Sequence, residues 1–194
     1  MDTVKVRKSG VGIMKNAVVI GATSHVGLAV CQELIAKEVE VTGFERLERM
    51  DASAEERLMG IGRNAFFHMN RNQNADETSY ETAFYFVDEN TKEDNEIIDA
   101  YLENSSKLLI ISKYSRKNLE RKILQEKNIK KPNCSIYLPE IYEPLETDVS
   151  SDLELEEKYE TIYVENAAAA ICKIAQETLE SKQYLLLPLT YKKK

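Results

Sequence analysis

Two histidines, His25 and His68, are all that this chain of 194 residues contains. That is too few for the ligand set of a metal-centred hydrolase, so no metal site is expected. Cysteine is equally sparse. Cys31, Cys134 and Cys172 are far apart, with no C-x-x-C pair, which argues against a zinc site and for reduced, mostly buried thiols in a cytoplasmic setting. No apolar run is long enough to span a bilayer, no secretory leader is visible, and no low-complexity tract interrupts the chain. Positive charge is in deficit. The net charge of −7 speaks against nucleic acid or an anionic membrane as the main partner. What remains is 43% hydrophobic and 30% charged residues, the balance of an ordinary globular domain with a real core. We expect residues 1–14 to be an N-terminal extension, 15–190 the folded domain, and 191–194 a solvated basic tail.

The most informative stretch is 17–46. It opens with a short apolar strand, AVVI (17–20), followed by the glycine turn GATSHVG (21–27). Val26, Val30 and Leu34 recur at helical spacing, and VEVTGF (39–44) reads as a second strand closed by Glu45 and Arg46. Strand, glycine turn, helix, strand and terminal acid is the order of a dinucleotide-binding βαβ unit. Gly21 lets the chain leave the strand sharply. Backbone N–H groups at the helix start, around Thr23, Ser24, His25 and Val26, then face a pyrophosphate with the helix dipole behind them. Gly27 lets the helix lie close to the sheet. The middle glycine of a G-x-x-G-x-x-G pattern is replaced by Ser24, whose β-carbon crowds a diphosphate and whose hydroxyl can donate to one. Glu45, 18 residues beyond Gly27, stands where a carboxylate accepts from adenosine ribose hydroxyls. That favours NAD, while Arg46 beside it suits the 2′-phosphate of NADP.

The rest of the chain alternates. A short helix near 53–60 has Ser53 and Glu56 as a capping box and Gly60 or Gly62 as its end. Strands follow at 64–69, 83–87, 107–112 and 134–138, the last stopped by Pro139. Thr91 and Asp94 open a helix with Ile97, Ile98, Tyr101 and Leu102 on one face, and 115–128 reads as a basic amphipathic helix. Residues 70–81 carry no helical period, so the crossover there looks trimmed. A strand at 161–164, a helix at 167–179 and a last strand at 183–187 complete the pattern. The expected fold is α/β: one Rossmann-type, doubly wound parallel sheet in a single domain. Between Glu143 and Glu160 there are eight acids against one lysine, which reads as a solvated loop.

These motifs, in this order, resemble the extended short-chain dehydrogenase/reductase family, the NAD-dependent epimerase/dehydratase group. GATSHVG (21–27) and VTGFER (41–46) match its opening half. LLIISK (108–113) resembles the strand that ends in the family's active-site Ser or Thr. SIYLPEIYEP (135–144) resembles the strand and Y-G-P turn, and TIYVENAAAAI (161–171) the segment that packs the last helix. The resemblance implies NAD or NADP as cofactor and places Ser112, Tyr114 and Lys117 near the nicotinamide. It also places Asn70 where the family carries an adenine-contacting Asp.

The departures bear on catalysis. Family enzymes pair Tyr with Lys four residues on, so that both share a helix face and the Lys lowers the Tyr pKa. Here Tyr114 is followed at four residues by Asn118, and Lys117 lies only three on. The C-terminal substrate lobe of the family is also reduced. The expectation is therefore a dinucleotide-binding protein with weak or no catalysis and a binding or regulatory role, through a protein partner or a homodimer. The alternative is a small NAD(P)-dependent oxidoreductase or epimerase.

Overall fold

The computed structural model describes residues 14–46, 50–71, 78–87, 96–113, 133–142, 161–176 and 182–186. In chain order its strands are β1 (Asn16–Ile20), β2 (Glu40–Phe44), β3 (Phe67–Asn70), β4 (Tyr80–Phe86), β5 (Ser105–Lys113), β6 (Asn133–Leu138), β7 (Glu140–Tyr142), β8 (Thr161–Tyr163) and β9 (Lys182–Leu185). The described helices are α1 (His25–Ile35), α2 (Ala52–Met59), α3 (Glu96–Glu103) and α4 (Val164–Gln176). Seven strands form one sheet in the order β3-β2-β1-β4-β5-β6-β9, and every pair in it is parallel. β7 and β8 pair separately, also in parallel.

The reason for this architecture is visible in the strands. Each central strand is apolar on both faces, as a parallel sheet covered on both sides requires. Ala17, Val19, Phe84, Leu109, Ile111 and Ile136 point to a core shared with α1 and α4. Val18, Ile20, Ala83, Tyr85, Leu108 and Ile110 point to a second core, closed by Ile98, Tyr101 and Leu102 of α3. Helices thus cover both faces of one parallel sheet, and the order reverses between β1 and β4. This is the Rossmann-type doubly wound α/β fold.

Several boundaries differ from the sequence expectation, with β4 starting at Tyr80 rather than 83 and α4 at Val164 rather than 167, and two others have a visible cause. The cap of α2 is Asp51, not Ser53: Ala54 N–H donates to Asp51 Oδ1 at 2.8 Å. A carboxylate at a helix start gains from the helix dipole as well as from the hydrogen bond, and it takes the cap from a hydroxyl two residues later. β3 starts at Phe67 rather than 64 because Asn64 makes a turn. Its side chain accepts from Phe66 N–H at 2.9 Å and its carbonyl from Phe67 N–H at 3.1 Å. The expected helix over 115–128, the Thr91 capping box and the acidic segment lie outside the described residues.

α1 and α4 pack through thiols. Cys31 and Cys172 are both fully buried, and Cys172 Sγ lies 4.0 Å from the Val30 carbonyl, to which it donates. Burial pushes the Cys31 thiol far above the ordinary range, and burial, with Glu33 adding to it, pushes Cys172 up to about 12. The folded state therefore holds protons that the unfolded chain releases near pH ~8.5. This contribution to stability is complete below that pH and is lost as pH rises toward the folded values. Native protein at pH 8 should leave both cysteines unlabelled by iodoacetamide, with labelling only after urea unfolding. Equal labelling of the native protein would show that the α1–α4 contact is open.

α1 ends in a Schellman motif. Glu38 N–H donates to Ile35 O at 2.9 Å and Val39 N–H to Leu34 O at 3.1 Å, with Glu38 in the left-handed region at φ 58. Glycine is the usual residue there because a β-carbon is strained in that conformation. Glu38→Gly should raise stability by about 1 kcal/mol, read as a higher urea midpoint.

Candidate functional site

The site is assembled where β1 gives way to α1. Gly21 has φ 90, a value that only glycine adopts without strain. Gly21 and Ala22 N–H both donate to Phe44 O, at 2.9 and 3.2 Å, so the ends of β1 and β2 stay joined beyond their last ladder pair. Ser24 caps α1. Its Oγ donates to Gly21 O at 2.7 Å and accepts from Gly27 N–H at 3.1 Å. A β-carbon on Gly27 would lie 2.2 Å from Gly21 O and 2.7 Å from Ser24 Oγ, so only glycine lets the helix start this close to the turn. The Ser24 side chain is folded into the turn, and the proton expected to meet a phosphate is given to Gly21 O.

Glu45 is buried, 6% exposed. Its Oε2 accepts from Thr23 Oγ1 at 2.5 Å and from Thr23 N–H at 3.4 Å, and its Oε1 accepts from Arg46 N–H at 3.0 Å. The carboxylate at the tip of β2 thus holds the glycine turn. On the other side of Thr23, Arg57 Nε of α2 donates to the Thr23 carbonyl at 2.9 Å, and Arg57 Nη1 donates to Ser53 Oγ at 2.6 Å. Sequence reasoning did not single out Arg57. The one available signal was its i+4 spacing from Ser53.

At the switch point a crevice is lined by Gly21, Phe44, Glu45, Arg46, Phe86 and Ile98 among others, with about 10 Å³ of space, room for about one water. Asn70 is buried too, and its amide donates to Tyr101 Oη in the core beneath. The residues that fit a dinucleotide are those of the turn: the positive φ of Gly21 and the space that only glycine leaves at position 27 seat the start of α1 directly on the end of β1.

The expected catalytic group is only partly described. Ser112 lies at the C-terminal end of β5, in register with Tyr137 of β6. It is 2% exposed, and its Oγ has no partner among the described residues. Tyr114 and Lys117 lie outside the described residues. His25 at the start of α1 and His68 on the edge strand β3 are both exposed. Among the described residues no helix is long and apolar enough to cross a membrane.

No family model matches this chain. No curated protein matches it either. Solved structures do. Yeast methylglyoxal/isovaleraldehyde reductase Gre2, complexed with NADPH, superposes with a TM-score of 0.61 at 14% identity, over 88% of this chain and 75% of that one. The Bordetella bronchiseptica enzyme WbmH in complex with NAD+ gives 0.60 at 10% identity, over 91% and 76%. UDP-glucose-4-epimerase from Stenotrophomonas maltophila, with bound NAD, gives 0.59 at 13% identity, over 89% and 78%. At these identities the likeness is one of fold, and it is the same Rossmann-type fold that the strand order defines.

The Thr23–Glu45 bond should be worth measuring directly. Thr23→Val keeps the shape but leaves Glu45 Oε2 buried without its hydroxyl donor, at an expected cost of about 1–3 kcal/mol. An unchanged urea midpoint would show that the carboxylate turns out to solvent.

Proposed function

We propose that the protein binds a nicotinamide dinucleotide at the glycine turn and acts in the cytoplasm mainly by binding, through contact with a protein partner or a second copy of itself, with weak or no turnover. The observation that carries the binding half is the seating of α1 on the turn. Gly21, Thr23, Ser24, His25, Val26 and Gly27 bring a helix start to the end of β1, beside the point where the strand order reverses, which is where α/β sheets take ligands. The Gre2 and WbmH structures that share this fold hold NADPH and NAD+. The low-turnover half rests on the spacing of Tyr114 and Lys117, three residues instead of four, and on the depth of Ser112.

The second reading, a small NAD(P)-dependent oxidoreductase or epimerase, draws on the same Ser112. A buried hydroxyl without a partner among the described residues is a group that a substrate oxygen would satisfy. The bound dinucleotide would supply or accept the hydride, and Ser112, Tyr114 and Lys117 would orient the substrate and move the proton.

Calorimetric titration with NAD, NADH, NADP and NADPH tests the first half: micromolar binding of at least one pair is expected, and silence with all four would overturn it. A cofactor-dependent turnover abolished by Tyr114→Phe would decide for the enzyme reading.

A further inference from the structure

The hydrogen bonds around Thr23 sort the charges at this corner. Both oxygens of Glu45 are engaged from within, by Thr23 and by the Arg46 backbone. At 6% exposure the carboxylate presents little surface for ribose hydroxyls. Arg57 is placed differently. It is half-buried, anchored at Nε by the turn itself and at Nη1 by Ser53. These two bonds leave the rest of its N–H fork uncommitted. No carboxylate pairs with it among the described residues. Glu55, two residues before it and on another face of α2, is held in a two-pronged pair by Arg71 at 2.6 and 2.7 Å. A half-buried guanidinium with no counter-anion among the described residues, fixed against a nucleotide-type turn, fits an anion that presents two oxygens to its fork, as a phosphate does. Arg46 follows Glu45 at the end of β2, and the formal charge of Glu45, Arg46 and Arg57 together is positive.

We infer that Arg57 is a recognition residue for a phosphate on the adenosine ribose, so that the site takes the 2′-phosphorylated dinucleotide, NADP(H), in preference to NAD(H). This rests on the reading that the turn binds a nicotinamide dinucleotide, and it reverses the preference that the Glu45 position alone suggests. Arg57 works from α2, an element outside the βαβ unit, whose first turn is capped by Asp51.

The test is calorimetry on the full chain, as wild type, Arg57→Ala and Arg57→Lys, with NADPH, NADH, 2′-AMP and 5′-AMP, each variant first checked by thermal melting. Wild type should bind NADPH about tenfold more tightly than NADH, and 2′-AMP more tightly than 5′-AMP. Arg57→Ala should weaken NADPH about tenfold more than it weakens NADH. Arg57→Lys keeps the charge without the fork and should lose part of the discrimination. It also carries the test if the alanine variant fails to fold. Equal affinity of wild type for NADPH and NADH overturns the inference and leaves dinucleotide binding standing. So does an equal loss for both cofactors in Arg57→Ala, which would make Arg57 a prop for the turn. Silence with every nucleotide overturns the binding reading and this inference together.

Discussion

The contact on which the rest of this structure depends is the approach of α1 to the carbonyl of Gly21. No side chain fits between them at position 27, where a β-carbon would stand 2.2 Å from that oxygen. The helix therefore begins directly on the turn, with Ser24 wedged in as its cap. The direction in which α1 leaves follows, and so does the face of the sheet that it covers. α4 then packs against α1 through Cys31 and Cys172, and the larger of the two cores closes around them.

A second layer of constraint stabilises the turn from outside. Glu45 at the end of β2 and Arg57 from α2 hold Thr23 from opposite sides, one through its hydroxyl and amide, the other through its carbonyl. Strand β2, the turn and α2 are thus linked by side chains of opposite charge that do not pair with each other. The arrangement commits both oxygens of the acid to the protein's own donors and fixes the guanidinium against the turn. The far side of the switch point is bounded by aromatic packing, where Tyr101 meets Phe44 and Tyr80 with ring centroids 5.4 and 6.0 Å apart. Asn70 is drawn into that cluster by its bond to Tyr101.

Much of the fold was legible because a parallel sheet writes its signature locally. Strands such as 108–111 are apolar without interruption, α1 shows its period at Val26, Val30 and Leu34, and Gly21 and Gly27 mark the turn. Ends were less legible, since they depend on which of several nearby polar groups wins a cap or a turn. Asp51 prevailed over Ser53, and Asn64 cut short the start of β3. Separate pairing of β7 with β8 was not readable at all, because strands of this length have no pattern that distinguishes joining the main sheet from standing apart.

The candidate site divides along the same line. The sequence by itself determined which residues form the glycine turn and where an acid and two arginines lie along the chain, because backbone demands for glycine and the strand–turn–helix order are local. Only the tertiary structure decided what those side chains do. Glu45 stands at the position of a ribose acceptor, yet its oxygens are taken by Thr23 and the Arg46 backbone. Arg57, 34 residues from Thr23 in sequence, becomes its neighbour. The physical reason is that a hydrogen bond is chosen by distance and desolvation in three dimensions, and spacing along the chain carries neither.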